Sequence, residues 1–315
     1  METTQTILGS GGIIAREASY CLSQFSTHTR QVSRKPKKVL DTDQIFPADL
    51  CRESDVRAAV KGSDIVYLTV GLPYHTKIWQ ECWPKIMKYT INACQESGAK
   101  LVFFDNVYMY GKVDGWMTEK TPFNPCSKKG EVRAKISRQL LEEVQQGNIE
   151  ALIARSADFY GPKAGNTYLG PMIFDKLWAG KKPQLMLKAD KKHSYTYTLD
   201  AARGMVILGN TATAYGQTWH LPTDQVVLTG AEFIELAARE FGQSKKYSVL
   251  SPSMINMAAL FSSVVRESKE MMYQFDDDYL FESSKFETDF FKATSYADAI
   301  RTIYENQYRC EAKPK

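Results

Sequence analysis

Along the first half of the chain, short apolar runs alternate with longer stretches in which apolar residues recur every three or four positions. The runs at 6–8, 29–32, 64–70 (DIVYLTV), 100–104 (KLVFF) and 150–154 (EALIA) predict strands. The stretches 14–25, 77–96 and 131–144 predict helices, and in the second of these Ile78, Cys82, Trp83, Ile86, Met87 and Ile91 share one face. Trp79 and Trp83, four apart, belong to a packed face as core or interface. Apolar strands separated by amphipathic helices mean a parallel sheet covered on both sides.

After Arg155 the pattern changes. Gly161-Pro162 and Gly170-Pro171 break the chain, and helical periodicity dominates at 231–241, 254–273 and 295–308. The run 217–221 (QTWHL) predicts a strand that returns to the main sheet. The expected architecture is α/β, with a sheet domain over 1–160, a return segment near 195–222, and a smaller, mostly helical C-terminal lobe over 161–315. A lobe over the carboxyl ends of the strands would close a substrate cleft.

Composition adds mainly exclusions. The chain has 315 residues, is 43% hydrophobic and 24% charged, and carries a net charge of +4. Its lysines are dispersed, which argues against nucleic acid as a partner. No apolar run reaches membrane-spanning length, and the N-terminus lacks the basic and then apolar pattern of a secretion signal. Six scattered cysteines, none in a C-x-x-C pair, suit a reducing, cytoplasmic setting and give no metal-ligand spacing. The acidic triplet Asp276, Asp277 and Asp278 lacks the glycine turn and spaced acids of a calcium loop, so no metal site is expected.

The first strand runs straight into Gly9, Ser10, Gly11, Gly12 and Ile13, followed by a helix start. Gly9, Gly12 and Ala15 fit G-x-x-G-x-x-G with alanine in the last place. Such a turn lets backbone N–H groups and a helix N-terminus approach a pyrophosphate, so a dinucleotide cofactor is expected here. An acid at the end of the second strand would select NAD through the ribose 2′-hydroxyl. None occurs between Thr29 and Lys38; Ser33 and Arg34 stand there instead. Arg34 can pair with a 2′-phosphate, which favours NADP, with NAD as the alternative. A plain solvated basic loop is the other reading of this run.

Further segments follow in order. They are Ala48-Asp49-Leu50, Val70-Gly71-Leu72-Pro73, the run DNVYMYG from Asp105, TEKTPFNP from Thr118, RSADFYGP from Arg155 and YTYTLDAA from Tyr195. Together with the glycine turn these resemble the extended short-chain dehydrogenases/reductases of the NAD-dependent epimerase/dehydratase type. The resemblance covers nearly the whole chain. It implies a Rossmann doubly wound parallel sheet, an adenine contact at Asp49 and Leu50, and a nicotinamide wall at Val70, Gly71 and Leu72. It also implies a small-molecule substrate bound near Tyr74, Tyr160, His193 and Tyr195, and a homodimer through the helices 77–96 and 131–144.

The catalytic pattern of that family is altered. Where the family has serine, tyrosine and lysine, this chain has Asn106, Lys129 and Arg133. In one reading catalysis survives: the fixed charge of Arg133, one turn on, would favour the neutral, basic form of the Lys129 amine, and Asn106 would polarise a carbonyl. In a second, the proton donor has moved to Tyr108 or Tyr110, just beyond the fifth strand, whose other reading is aromatic packing. In a third, the protein is a non-catalytic NADP-binding sensor or scaffold. The resemblance as a whole implies an NAD(P)-dependent oxidoreductase or epimerase acting on a small carbonyl, hydroxyl or sugar-like compound.

Overall fold

The computed structural model describes residues 3–25, 27–164 and 167–309. By internal contacts the chain forms two compact units, one of Met1–Gly111, Pro122–Ser156 and Ala201–Leu221, the other of Lys112–Thr121, Ala157–Asp200 and Pro222–Lys315. Among the described residues, no helix is long and apolar enough to cross a membrane.

The first unit is a seven-stranded sheet. In chain order its elements are β1 (Thr3–Leu8), α1 (Ile13–Leu22), β2 (Thr27–Ser33), β3 (Gln44–Pro47), α2 (Glu53–Val60), β4 (Ile65–Leu68), α3 (Thr76–Ser97) and β5 (Lys100–Asp105). After these come α4 (Lys128–Gln145), β6 (Ala151–Arg155), α5 (Thr198–Gly209) and β7 (Thr218–His220). The spatial order is β3-β2-β1-β4-β5-β6-β7, with every pairing parallel. The order reverses between β1 and β4, the crevice where open α/β sheets bind ligands. The expected returning strand is present as β7, which pairs with β6 in register His220 to Arg155.

Side-chain alternation explains the two covered faces. Leu8, Val66, Leu68, Leu101, Phe103 and Ile153 pack with Val56, Trp83, Ile86, Met87, Ile136 and Leu140, so α2, α3 and α4 cover one face. Their strand neighbours Ile7, Tyr67, Val102 and Leu152 are equally buried on the other. There Gly209 of α5 lets the helix close on Tyr67, because a Cβ would stand 2.5 Å from the Tyr67 hydroxyl. That hydroxyl donates to Gln5 Oε1 at 2.7 Å and accepts from Asn210 Nδ2 at 3.1 Å, which satisfies a buried polar group.

The second unit has its own aromatic and aliphatic core, with Tyr160, Phe174, Phe233, Tyr296 and Ile300 at its centre. It is less uniformly helical than its sequence suggests. Three two-stranded parallel sheets join Asp158–Tyr160 to Tyr195–Tyr197, Gln184–Met186 to Ser248–Leu250, and Trp116–Met117 to Leu280–Phe281. The periodicity over 254–273 is not one helix. Ser262 takes an extended conformation, ends the helix Pro252–Phe261, and accepts a hydrogen bond from the Val265 N–H to start Ser263–Ser268.

Candidate functional site

The glycine turn lies at the carboxyl end of β1. Gly9 has a φ of +104°, and a Cβ there would stand 2.3 Å from the Val70 Cα, so only glycine lets the turn rest on the chain leaving β4. The N–H groups of Gly9 and Ser10 both donate to the Val32 carbonyl, at 2.9 and 3.0 Å, which ties the turn to the end of β2. Gly12 is the N-cap of α1 and provides no side-chain cap, while Gly11 and Gly12 face open space. The Ser10 hydroxyl oxygen is buried with no hydrogen-bond partner. Uncapped helix N–H groups, open glycines and an unsatisfied hydroxyl form a cradle that fits a dinucleotide pyrophosphate.

At the end of β2, Ser33 is half-buried and its carbonyl accepts the Ala48 N–H at 2.9 Å. Arg34 and Lys35 follow, both exposed. Of the two acids in the following loop, Asp41 is exposed, while Asp43 is buried and turned inward. It accepts from the Val39 and Leu40 N–H groups at 2.9 and 3.0 Å and from Gln31 Nε2 at 3.1 Å, so it shapes the loop. Asp49 accepts from the Cys51 N–H at 3.0 Å, and Leu50 is buried beside Ala48.

The second part of the site is the start of α4. Ser127 caps it, its hydroxyl accepting the Gly130 N–H at 3.0 Å. Gly130 brings the helix against the turn after β5, since a Cβ would stand 2.6 Å from the Tyr108 carbonyl oxygen. This approach buries Lys129 completely. Its ammonium donates to Thr76 Oγ1 at 2.9 Å and lies 4.5 Å from the centre of the Tyr74 ring. Asn106 accepts from the Tyr108 N–H at 3.1 Å, and the Tyr108 ring stacks on Trp79.

Arg133, one turn along α4, is buried on aromatic rings. Its guanidinium lies 4.0 Å from the centre of Trp83 and 5.2 Å from that of Trp79. Burial pulls it below the ordinary arginine value, and Asp105 offsets part of that. Asp105 closes β5 and meets Arg133 at 3.4 Å and Arg155 at 3.6 Å, while accepting from Ser137 Oγ at 2.9 Å and the Asn106 N–H at 2.9 Å. Arg155 continues the chain of contacts, donating to the Tyr110 hydroxyl at 2.8 Å. That hydroxyl also meets His220 Nε2 at 2.9 Å. His220 has no partner legible in the sequence; the fold supplies Tyr110.

Thus the first unit gathers Gly9, Ser10, Val70, Tyr74, Asn106, Tyr108, Lys129 and Arg133 around the ends of β1, β4 and β5. Thr76, Ser137 and Arg155 are structural partners that sequence periodicity does not single out. The remaining candidates lie in the second unit. Tyr160 is buried among Tyr195, Tyr197, Phe233 and Tyr296, and burial holds the phenols of Tyr160 and Tyr195 well above the ordinary tyrosine value. His193 is stacked between Tyr195 and Tyr279, with Nε2 3.1 Å from Asp158. Lys188 donates to the Asp276 carbonyl, and Asp277 pairs with Lys112, which holds its carboxyl below the ordinary aspartate value. Among the described residues, no group of three or more His, Cys, Asp or Glu side chains is placed to hold a metal ion.

Comparison of the sequence with curated proteins gives no match. Solved structures resemble the chain along its length. UDP-N-acetylglucosamine 4-epimerase from Bacillus cereus has a TM-score of 0.77 at 15% identity, covering 99% of each chain. UDP-glucuronic acid 4-epimerase from the same organism, solved with UDP-glucuronic acid and NAD, has 0.80 at 15%, covering 96% of this chain and 98% of its own. A dTDP-glucose 4,6-dehydratase from Streptomyces venezuelae, solved with NAD, has 0.76 at 15%, covering 96% and 97%. At these identities the likeness is one of fold. The sequence model of the NAD dependent epimerase/dehydratase family matches residues 6–220, from β1 through β7 and so across the glycine turn and the start of α4. The chain belongs to that family.

Proposed function

We propose that the protein is an NAD(P)-dependent oxidoreductase or epimerase acting on a nucleotide sugar or a related small carbonyl or hydroxyl compound. The observation that carries this reading is the glycine cradle at the switch point, with Gly9 seated on Val70 and the Ser10 hydroxyl unsatisfied beneath it. The printed substrates of the structural neighbours, UDP- and dTDP-sugars, support the substrate class. When bound, the dinucleotide supplies hydride chemistry at its nicotinamide. Gly9, Ser10, Gly11, Gly12 and Ile13 hold its pyrophosphate. Asp49 and Leu50 border the adenine, and Val70, Gly71 and Leu72 form the wall of the nicotinamide half. Ser33 and Arg34 bind a 2′-phosphate, so NADP is the preferred form. Lys129 carries the proton, held in place by Thr76 and the Tyr74 ring; Asn106 orients the substrate oxygen, and Tyr108 is the alternative proton carrier. Arg133 acts mainly as an anchor for this helix start through Asp105 and Trp83. Within the second unit, Tyr160, His193 and Tyr195 are the candidate substrate-side residues, packed among its own aromatic rings.

One observation favours a second reading, in which the protein binds nucleotide without turning over substrate: Lys129 and Arg133 are both engaged with protein groups. The Lys129→Met variant separates the two. In a screen of UDP-sugars and small carbonyl compounds, the wild type turns over and the variant loses roughly a hundredfold or more in rate. Its nucleotide affinity stays within about threefold, as expected for a residue outside the cradle. An active protein with an undiminished rate in Lys129→Met refutes the lysine assignment. Tight nucleotide binding with no turnover across the screen establishes the second reading.

A further inference from the structure

The second unit exposes apolar side chains on one contiguous stretch. The helix Pro252–Phe261 buries only Ile255 and Ala259, an i, i+4 pair, and the helix Ser263–Ser268 buries nothing. Met254, Met257, Leu260, Phe261 and Val264 are exposed, Leu260 by 74% and Phe261 by 88%, and Tyr247 and Val249, just before them in the chain, are exposed too. At ordinary residue areas these seven residues expose about 750 Å², beyond the roughly 300–600 Å² of the largest apolar patch on a typical monomer. They approach the roughly 800 Å² that each partner contributes to a standard protein interface.

We propose that this face seats the same face of a second copy of the chain, as a two-fold helix-against-helix contact. Area is the first argument and charge the second. All 19 residues from 247 to 265 are uncharged. The core of a protein interface is depleted of charge in this way, and a two-fold contact that sets a face against itself places no like charges opposite each other. A lipid-binding helix instead carries basic residues along its polar flank. Here the basic residues beside the stretch are few: Lys245 pairs with Glu235 at 2.9 Å, Arg266 donates to the Ala259 carbonyl at 3.4 Å, and the exposed Lys246 stands at one end and not along a helix flank. Met254 and Met257 are unbranched and can adapt to an opposing copy of themselves. The surface belongs to the second unit, whereas α3 and α4 belong to the first.

The test is sedimentation equilibrium of the full chain beside Leu260→Glu/Phe261→Glu, with circular dichroism to confirm that both are folded. The expected result is an association number that halves in the variant. A second measurement keeps the wild-type face: Met257→Cys under mild oxidation should give a covalent dimer on a non-reducing gel, while the wild type and Tyr20→Cys, exposed elsewhere, should not. An association number unchanged by Leu260→Glu/Phe261→Glu overturns the proposal. So does a monomeric wild type, whether or not it floats with vesicles of anionic or zwitterionic lipid; flotation would assign the face to a membrane.

Discussion

Replacing Asp105 with asparagine keeps its size and removes its charge. The carboxylate stands between Arg133 at 3.4 Å and Arg155 at 3.6 Å, and the two arginines are only 7% and 1% exposed. The variant leaves two cations in the interior with no anion between them. Asparagine can still accept from Ser137 or the Asn106 N–H, but its amide N–H₂ then faces a guanidinium, donor against donor. The ring contacts of Arg133 with Trp83 at 4.0 Å and of Arg155 with Phe123 at 4.9 Å persist in both proteins and cancel from the difference. Removing one partner of a buried pair costs about 3–5 kcal/mol. For a chain of this length about 1 kcal/mol corresponds to about 2 °C, so Tm should fall by roughly 8 °C. Urea denaturation read by fluorescence measures the loss directly. In Asp105→Asn/Arg133→Met part of the loss should return, a coupling of about 0.5–3 kcal/mol, because one unpaired cation is gone. A loss below about 1 kcal/mol in Asp105→Asn would refute the view that this carboxylate holds the start of α4 to the end of β5.

The other predictions concern the cradle and the thiols. Gly9→Ala should lower nucleotide affinity more than about tenfold and destabilise the fold by about 1–3 kcal/mol, because its Cβ meets the Val70 backbone and its φ is positive. Gly12→Ala, which meets nothing within 4 Å, should leave stability within about 1 kcal/mol; equal losses in the two variants count against the seating on Val70. Burial pushes the Cys21 thiol up to about 11, and burial with the Cys82 hydrogen bond pushes Cys51 up to about 12. Both stay protonated and unreactive until pH rises towards those values, so alkylation at about pH 8 should label exposed Cys126 first among the described cysteines. Peptide mapping checks this, and Cys51 labelling as fast as Cys126 contradicts it.

The centre of the main sheet is legible in the sequence because β4, β5 and β6 are buried on both faces and read as apolar runs, whereas β1 and β2 bury polar residues such as Gln5, Thr6 and Gln31 and show only their apolar ends. β3 escapes that pattern: it is four residues long at the sheet edge, mostly exposed, and ends in Pro47. The break at Ser262 escapes it too, since apolar spacing continues through a residue whose side chain caps the next helix. In the site, the glycine turn is legible because its constraint is local. The surroundings of Lys129 and Arg133 are not, because Thr76 lies 53 residues from Lys129 and Trp83 lies on α3. Spacing tells which residues share a helix face; it does not tell which side chains of another helix they will meet.

The most direct test of the cofactor assignment is a fluorescence titration of the purified protein with NADPH and with NADH, repeated on Arg34→Ala. Micromolar NADPH binding is predicted, with NADH weaker by roughly tenfold to a hundredfold and the difference abolished in the variant, as charge-assisted bonds to a phosphate imply. Equal affinities unaffected by Arg34→Ala would contradict the preference for NADP. Binding of neither nucleotide would contradict the cofactor site itself.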